Sequence, residues 1–361
     1  MKKSLLAMAI LSAFTGAAFA QTSVTIYGIV DAGINYDNGG SVGGRNWRLQ
    51  SGQQSGSRLG FKGTEDLGGG MSAIFTLENG FSTDTGTSSQ GGRLFGRQAW
   101  VGLNSNSLGT LKLGRQQTPL YYAADIIDPF RINQAGNLQA AFGYGLYLLD
   151  PLSRSDNAIT YTTPNFNGFS GTLLYAFGET AGAFSANRNW SAAGSYVNGP
   201  INIQVVYDKA TAPSITLTTN QAADFARYLN VAPTPAPAID VRTTFVGGTY
   251  DFGVAKAHLA YGDTKSELGG SSQKDRNYLV GVSAPVGGAG TVEASWIRND
   301  FKDINEGASN QYAIGYTHAL SKRTNIYTSA GYTKNDSNVR LNAASLGESD
   351  RTFQLGVRHL F

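Results

Sequence analysis

The chain contains no cysteine, so neither a disulfide framework nor a thiolate nucleophile or metal ligand is open to it. Its three histidines, His258, His318 and His359, stand in no metal-ligand spacing. No G-x-S-x-G occurs, and no glycine-rich stretch follows a strand pattern and opens a helical one, so the hydrolase and phosphate-loop signatures are missing. The expectation is a non-enzyme with no cofactor and no metal site. Charged residues make up only 15% and the formal total is +3, which gives no case for nucleic acid. Beyond the first twenty residues no apolar run approaches the length of a membrane helix.

What is present is a leader followed by alternation. Lys2 and Lys3 precede an apolar stretch from Ser4 to Ala17, and Ala18-Phe19-Ala20 has the small-residue form of a cleavage site. Residues 1–20 are therefore expected to be a signal peptide, the exported chain being 21–361, with a formal charge of +1 once the two lysines are gone. Glycine (46 residues), tyrosine and phenylalanine (18 each) are plentiful, which excludes a disordered chain.

From Val24 onward, block after block alternates apolar with polar residues. In Val24–Asn35, Val24, Ile26 and Val30 oppose Thr25, Tyr27 and Asp31; in Thr291–Asp300, Val292, Ala294 and Trp296 oppose Glu293, Ser295 and Asn299. Sixteen such segments are counted, and no helix is expected. The connections alternate between short turns (104–108, 164–168, 198–200, 251–253, 321–323) and long loops (36–54, 82–92, 178–188, 208–240, 265–276, 335–350). Short turns on one side and long loops on the other describe a transmembrane β-barrel. Physically, only a closed sheet leaves no unpaired backbone group in hydrocarbon, and a barrel this wide encloses water. Tyr175, Tyr250, Tyr261, Tyr312, Tyr316, Tyr332 and Phe353 are candidates for its aromatic girdles.

The longest segment without alternation runs from Gln117 to Asp156. It carries Asp125, Asp128, Pro129 and Arg131 amid an apolar scatter of Leu120, Ile126, Ile127, Phe130, Leu146, Leu148 and Leu149. A loop of that length is functional when it is not an error of assignment. It is expected to fold into the lumen and narrow it.

Several stretches resemble one family. They are Val24-Thr-Ile-Tyr-Gly-Ile-Val-Asp-Ala-Gly33, Ser57-Arg-Leu-Gly-Phe-Lys-Gly-Thr-Glu-Asp-Leu-Gly-Gly-Gly70, Arg93-Leu-Phe-Gly-Arg-Gln-Ala-Trp-Val-Gly-Leu103, Leu113-Gly-Arg-Gln-Gln-Thr-Pro119, Arg154-Ser-Asp-Asn-Ala-Ile-Thr-Tyr161 and Gly356-Val-Arg-His-Leu-Phe361. In this order they resemble the general diffusion porins of Gram-negative outer membranes, in particular the betaproteobacterial, neisserial-type branch. The resemblance implies an all-β, sixteen-stranded antiparallel barrel with short periplasmic turns, long extracellular loops and the third loop inside the pore. It also implies a homotrimer set among outer-membrane lipid and lipopolysaccharide. Phe361 would serve as a handle for the barrel assembly machinery, besides being a girdle residue.

The resemblance further implies an arginine cluster facing the loop. By motif position its members are Arg58, Arg97 and Arg154, with Arg115 and Lys62 nearby and Asp125 and Asp128 as opposing acids; Asp31 and Glu78 are weaker acidic candidates. Arg58 and Lys62 fall on the polar face of their strand, whereas Gly96 and Gln98 leave the facing of Arg97 open. Such a ring favours anions, and a Debye length of about 8 Å does not screen a constriction a few ångströms across. The expected function is passive diffusion of ions and small hydrophilic solutes with weak anion preference. The alternative is a channel specific for phosphate or a small organic anion. That each arginine merely pairs locally, or that Asp125 and Asp128 merely pin the loop, stays open at this point.

Overall fold

The computed structural model describes residues 23–39, 44–138, 153–212, 239–268, 271–303 and 306–361. The expected leader, Leu146, Leu148, Leu149 and the loop prolines Pro213, Pro233, Pro235 and Pro237 lie outside these residues. Among the described residues, seventeen strands form one antiparallel sheet. They are β1 (Ser23–Asn38), β2 (Arg45–Ser51), β3 (Arg58–Gly68), β4 (Met71–Gly80), β5 (Gln98–Ser105), β6 (Gly109–Gln117), β7 (Arg154–Thr162), β8 (Phe169–Ala176) and β9 (Asn189–Asn198), then β10 (Ile201–Ala212), β11 (Ile239–Asp251), β12 (Lys256–Leu268), β13 (Ser271–Val286), β14 (Gly290–Phe301), β15 (Gly307–Ala319), β16 (Thr324–Asn335) and β17 (Asp350–Leu360).

The ring closes where β1 pairs with β17, from Ile29↔Leu360 to Asn38↔Arg351. On its other edge β1 pairs with β3 through Ser23–Ile29 and with β2 through Ala32–Asn38. β2 and β3 thus occupy one place in the wall, interrupted by residues 52–57, and the barrel has sixteen wall positions. Polarity is inverted relative to a water-soluble fold. On β17 Phe353, Leu355 and Val357 are exposed on the outside while Gln354 is buried within; on β14 Glu293, Ser295 and Asn299 are buried on the inside. Strands whose outer half meets lipid and inner half meets water read as half-polar throughout.

Three segments depart from the sequence expectation. Loop 36–54 holds β2, with Trp47 and Leu49 turned outward; the glycines on either side of it hid a short strand. Segment 265–276 continues as β12 and β13, because its charged residues extend the sheet past the apolar band, where alternation no longer applies. The strand expected from Arg93 begins only at Gln98. The expectation of no helix is also corrected: α1 spans Pro119–Ile127. Thr118 caps it by accepting the Tyr121 amide at 3.2 Å, and Pro119 starts it, where its missing N–H costs nothing. Leu120, Ala123, Ala124 and Ile127 form its buried stripe. Asp128 precedes Pro129, a position that disfavours further helix.

Candidate pore constriction

α1 and the chain after it lie against the inner wall. Leu120, Ala123, Ala124 and Ile127 pack with Val206 of β10, Phe245 of β11, Ala260 of β12, Leu279 of β13 and Ile297 of β14. Glycines on the inner faces of later strands make room for residues 129–135. A Cβ on Gly281 would lie 2.8 Å from Pro129, one on Gly315 2.7 Å from Phe130, and one on Gly331 3.1 Å from that of Ala135. Leu120, Ile127, Phe130 and Leu138 are fully buried, each contributing roughly 1.5–3 kcal/mol. These anchors bed the loop against the wall. Polar ties complete the docking. His258 donates from Nδ1 to the Ile127 carbonyl at 2.8 Å while its Nε2 stands 3.0 Å from Ser283 Oγ, and Gln311 Nε2 donates to the Ala135 carbonyl at 2.7 Å.

The loop ends against residues 52–57, the interruption in the second wall position, where the Gln134 amide donates to the Gln53 carbonyl at 2.7 Å. Asp31 holds that excursion in the lumen by accepting the amides of Gln54 (2.9 Å) and Ser55 (2.6 Å) and the Tyr327 hydroxyl (2.6 Å). Two arginines clamp it from either side: Arg58 Nε donates to Gly56 O and Arg358 Nη1 to Ser55 Oγ, both at 2.9 Å. The bore is therefore narrowed by two inserts, of which sequence reasoning found one.

Arg115, level with Ala99 and through it with Leu77, stands on the outward row of the wall, while on the arc facing the docked loop Arg58, Arg97 and Arg154 gather on β3 to β7. Arg58 and Arg97 share Glu78 of β4, one of the two weaker acidic candidates of the sequence. Arg97 Nε lies 2.7 Å and Arg58 Nη1 4.0 Å from its carboxylate, which also accepts the Tyr27 hydroxyl at 2.9 Å. Arg115 and Arg93 share Asp156, each at 2.8 Å. Arg154 lies over the Tyr121 ring, 5.4 Å from its centroid, and the Tyr121 phenol also stands beside Arg97. Among the described residues, Tyr121 is thus the side chain that α1 presents to Arg97 and Arg154. Lys62 lies on the same strand face as Arg58, over the ring of Tyr27.

The two expected loop acids have partners within their own loop. Asp125 pairs with Arg131 of its own loop at 2.5 Å. Asp128 is buried and accepts the amides of Phe130 (3.0 Å), Ile132 (2.9 Å) and Leu138 (2.8 Å), closing the loop on itself. Burial pushes its carboxyl up to about 7, against the pull of those three donors. Asp128 shapes the insert, and its carboxylate is turned away from the bore. The Thr118-Pro119 start followed by Leu120, Ala123, Ala124 and Ile127 was the available signal for α1, but nothing in the sequence tied Glu78 to Arg97.

Residues 7–338 match the family described as Gram-negative porin. The chain is 38% identical to an outer membrane porin protein of Bordetella pertussis and 37% identical to outer membrane porin protein 32 of Delftia acidovorans, with all of both chains covered in each case. Among solved structures it is similar to the anion-selective porin from Comamonas acidovorans, at 33% identity and a TM-score of 0.78, covering 94% of this chain and 100% of that one.

Proposed function

The chain belongs to the Gram-negative porin family and is an outer-membrane β-barrel porin, and on that footing we propose that it conducts ions and small hydrophilic solutes passively with a weak preference for anions. The observation that carries this reading is the arginine arc. Arg58 and Arg97 share a single carboxylate, Glu78, and Arg154 lies over the Tyr121 ring. Two guanidiniums on one carboxylate tilt selectivity toward anions without closing the pore to cations. Arginine suits the place because it keeps its charge at any working pH. The anion selectivity named for the Comamonas porin agrees with this reading.

Residues 1–20 would be the leader removed on export and 21–361 the barrel. The assembly is read as a homotrimer, in keeping with kinship and with the exposed aliphatic stretch Val24, Ile26, Leu49, Val101 and Leu103 on the outer face of β1 to β5. Lipid and lipopolysaccharide would meet the remaining outer wall. Phe361, whose backbone pairs with Gly28, would engage the assembly machinery before the seam closes.

The test is single-channel conductance and zero-current potential in a salt gradient, for wild type and Arg58→Ala. The variant is expected to shift the potential toward cations. An unchanged potential would remove Arg58 from the filter, and conductance that saturates with a particular anion would replace a general pore by a specific one.

A further inference from the structure

Several inward-facing cations of this barrel are matched by a carboxylate. Arg97 and Arg58 answer to Glu78, and Arg48 to Asp37. Lys62 and Lys112 differ: among the described residues neither has a carboxylate within ion-pair distance, and each lies over an aromatic ring instead. Lys62 Nζ is 5.4 Å from the centroid of Tyr27 and Lys112 Nζ 4.6 Å from that of Trp100. A ring attracts an ammonium through its quadrupole and fixes its position, but it carries no countercharge. The two lysines are thus held in place as full unit charges.

Their placement gives them a common task. Lys62 alternates with the outward Leu59 and Lys112 stands between the outward Leu111 and Leu113, so both project into the lumen. The rungs connect them, since Lys62 is paired with Thr76, Thr76 with Trp100, and Trp100 is the ring beneath Lys112. At about 3.3 Å of rise per residue, Lys62 lies roughly 13 Å along its strand from Arg58, toward the short-turn, periplasmic end. Tyr27 joins this step to the constriction, its ring under Lys62 and its hydroxyl on Glu78.

We propose that Lys62 and Lys112, with Thr76 between them, form a second anion-binding step on the periplasmic side of the arginine constriction, taking small mono-anions such as chloride or a short carboxylate. The inference rests on the channel reading and deepens it. The preference for anions is set in good part by two lysines that no acid among the described residues offsets, and because they stand on one side of the narrowing the channel is electrically asymmetric.

The experiment uses the purified full-length protein inserted in one orientation in planar bilayers, comparing wild type, K62Q, K112Q, K62Q/K112Q and K62R/K112R. In a KCl gradient at low salt, each glutamine is expected to lower the chloride-to-potassium permeability ratio about two-fold, the effect of one unit charge about 8 Å from the path after screening. The double glutamine variant should also lose the difference in current between the two polarities, and the arginine variant should keep both. All differences should fade near 1 M salt, where the Debye length is about 3 Å. A K62Q/K112Q channel with wild-type ratio and asymmetry overturns the proposal. So does an arginine variant that behaves like the glutamine one, since that would assign the lysines a packing role. A wild-type protein that does not conduct would overturn the channel reading itself.

Discussion

Arg97 Nε and Glu78 Oε1 lie 2.7 Å apart with both side chains almost wholly out of solvent. Removing one partner of such a pair leaves the other charge buried, which costs about 3–5 kcal/mol. Glu78→Gln is expected to lower barrel stability by an amount of that order and to free Arg58 and Arg97 from their shared acid. Anion preference should then rise while resistance to heat falls, measured by zero-current potential and by the temperature at which the folded band is lost on a gel. A variant that becomes more cation-selective would contradict this arrangement of charges.

Asp128 accepts three loop amides. Asparagine offers one oxygen in place of two and introduces donors, so Asp128→Asn should leave buried amides unmet at a cost of about 1–3 kcal/mol. Faster hydrogen exchange at residues 128–138 and noisier single-channel current are the expected outcomes, with the barrel's own exchange unchanged.

The same carboxyl gives a pH test. Its folded value is pushed to about 7 from an ordinary 3.8, so the folded loop binds the proton more tightly than the unfolded chain does. The cost of burying the carboxylate is therefore fully felt above pH 7 and disappears as the pH falls toward 4. Acidification through this window should slow exchange of the loop amides. Faster exchange there would mean that the three amide donors outweigh burial.

Gly315 and Gly281 are two places where the wall leaves room for the loop. Gly315→Leu would drive its side chain into Phe130, and Gly281→Val into Pro129. Overpacking of this kind costs about 1–3 kcal/mol, and the loop has the bore to retreat into. Single-channel conductance should fall in both variants, whereas an unaltered conductance would show that the wall yields instead.

At the seam, the Phe361 ring covers Gly28, where a Cβ would come within 2.3 Å of Cζ and 2.6 Å of the Arg58 carbonyl oxygen. Gly28→Val should reduce the yield of closed barrel and its melting temperature, because the backbone neighbour cannot move aside. Restoring space with Phe361→Leu should not rescue it, since the Arg58 carbonyl remains.

The architecture was legible along the chain before any contact was known. Period-2 alternation states which side chains face lipid, and the sorting of short turns from long loops states that the sheet closes, because both follow from local chemistry repeated from strand to strand. The same rule placed Arg58 and Lys62 on the inner face, and its failure between Gln117 and Asp156 marked the insert. Which residues meet was left to the folded barrel. That Glu78 takes Arg97, that Tyr121 stands at Arg97 and Arg154, and that Asp128 turns inward to its own backbone depend on register around the ring and on how a helix beds into glycine-lined strands. Those are contacts between residues far apart in sequence, and alternation, being a property of neighbours, carries no information about them.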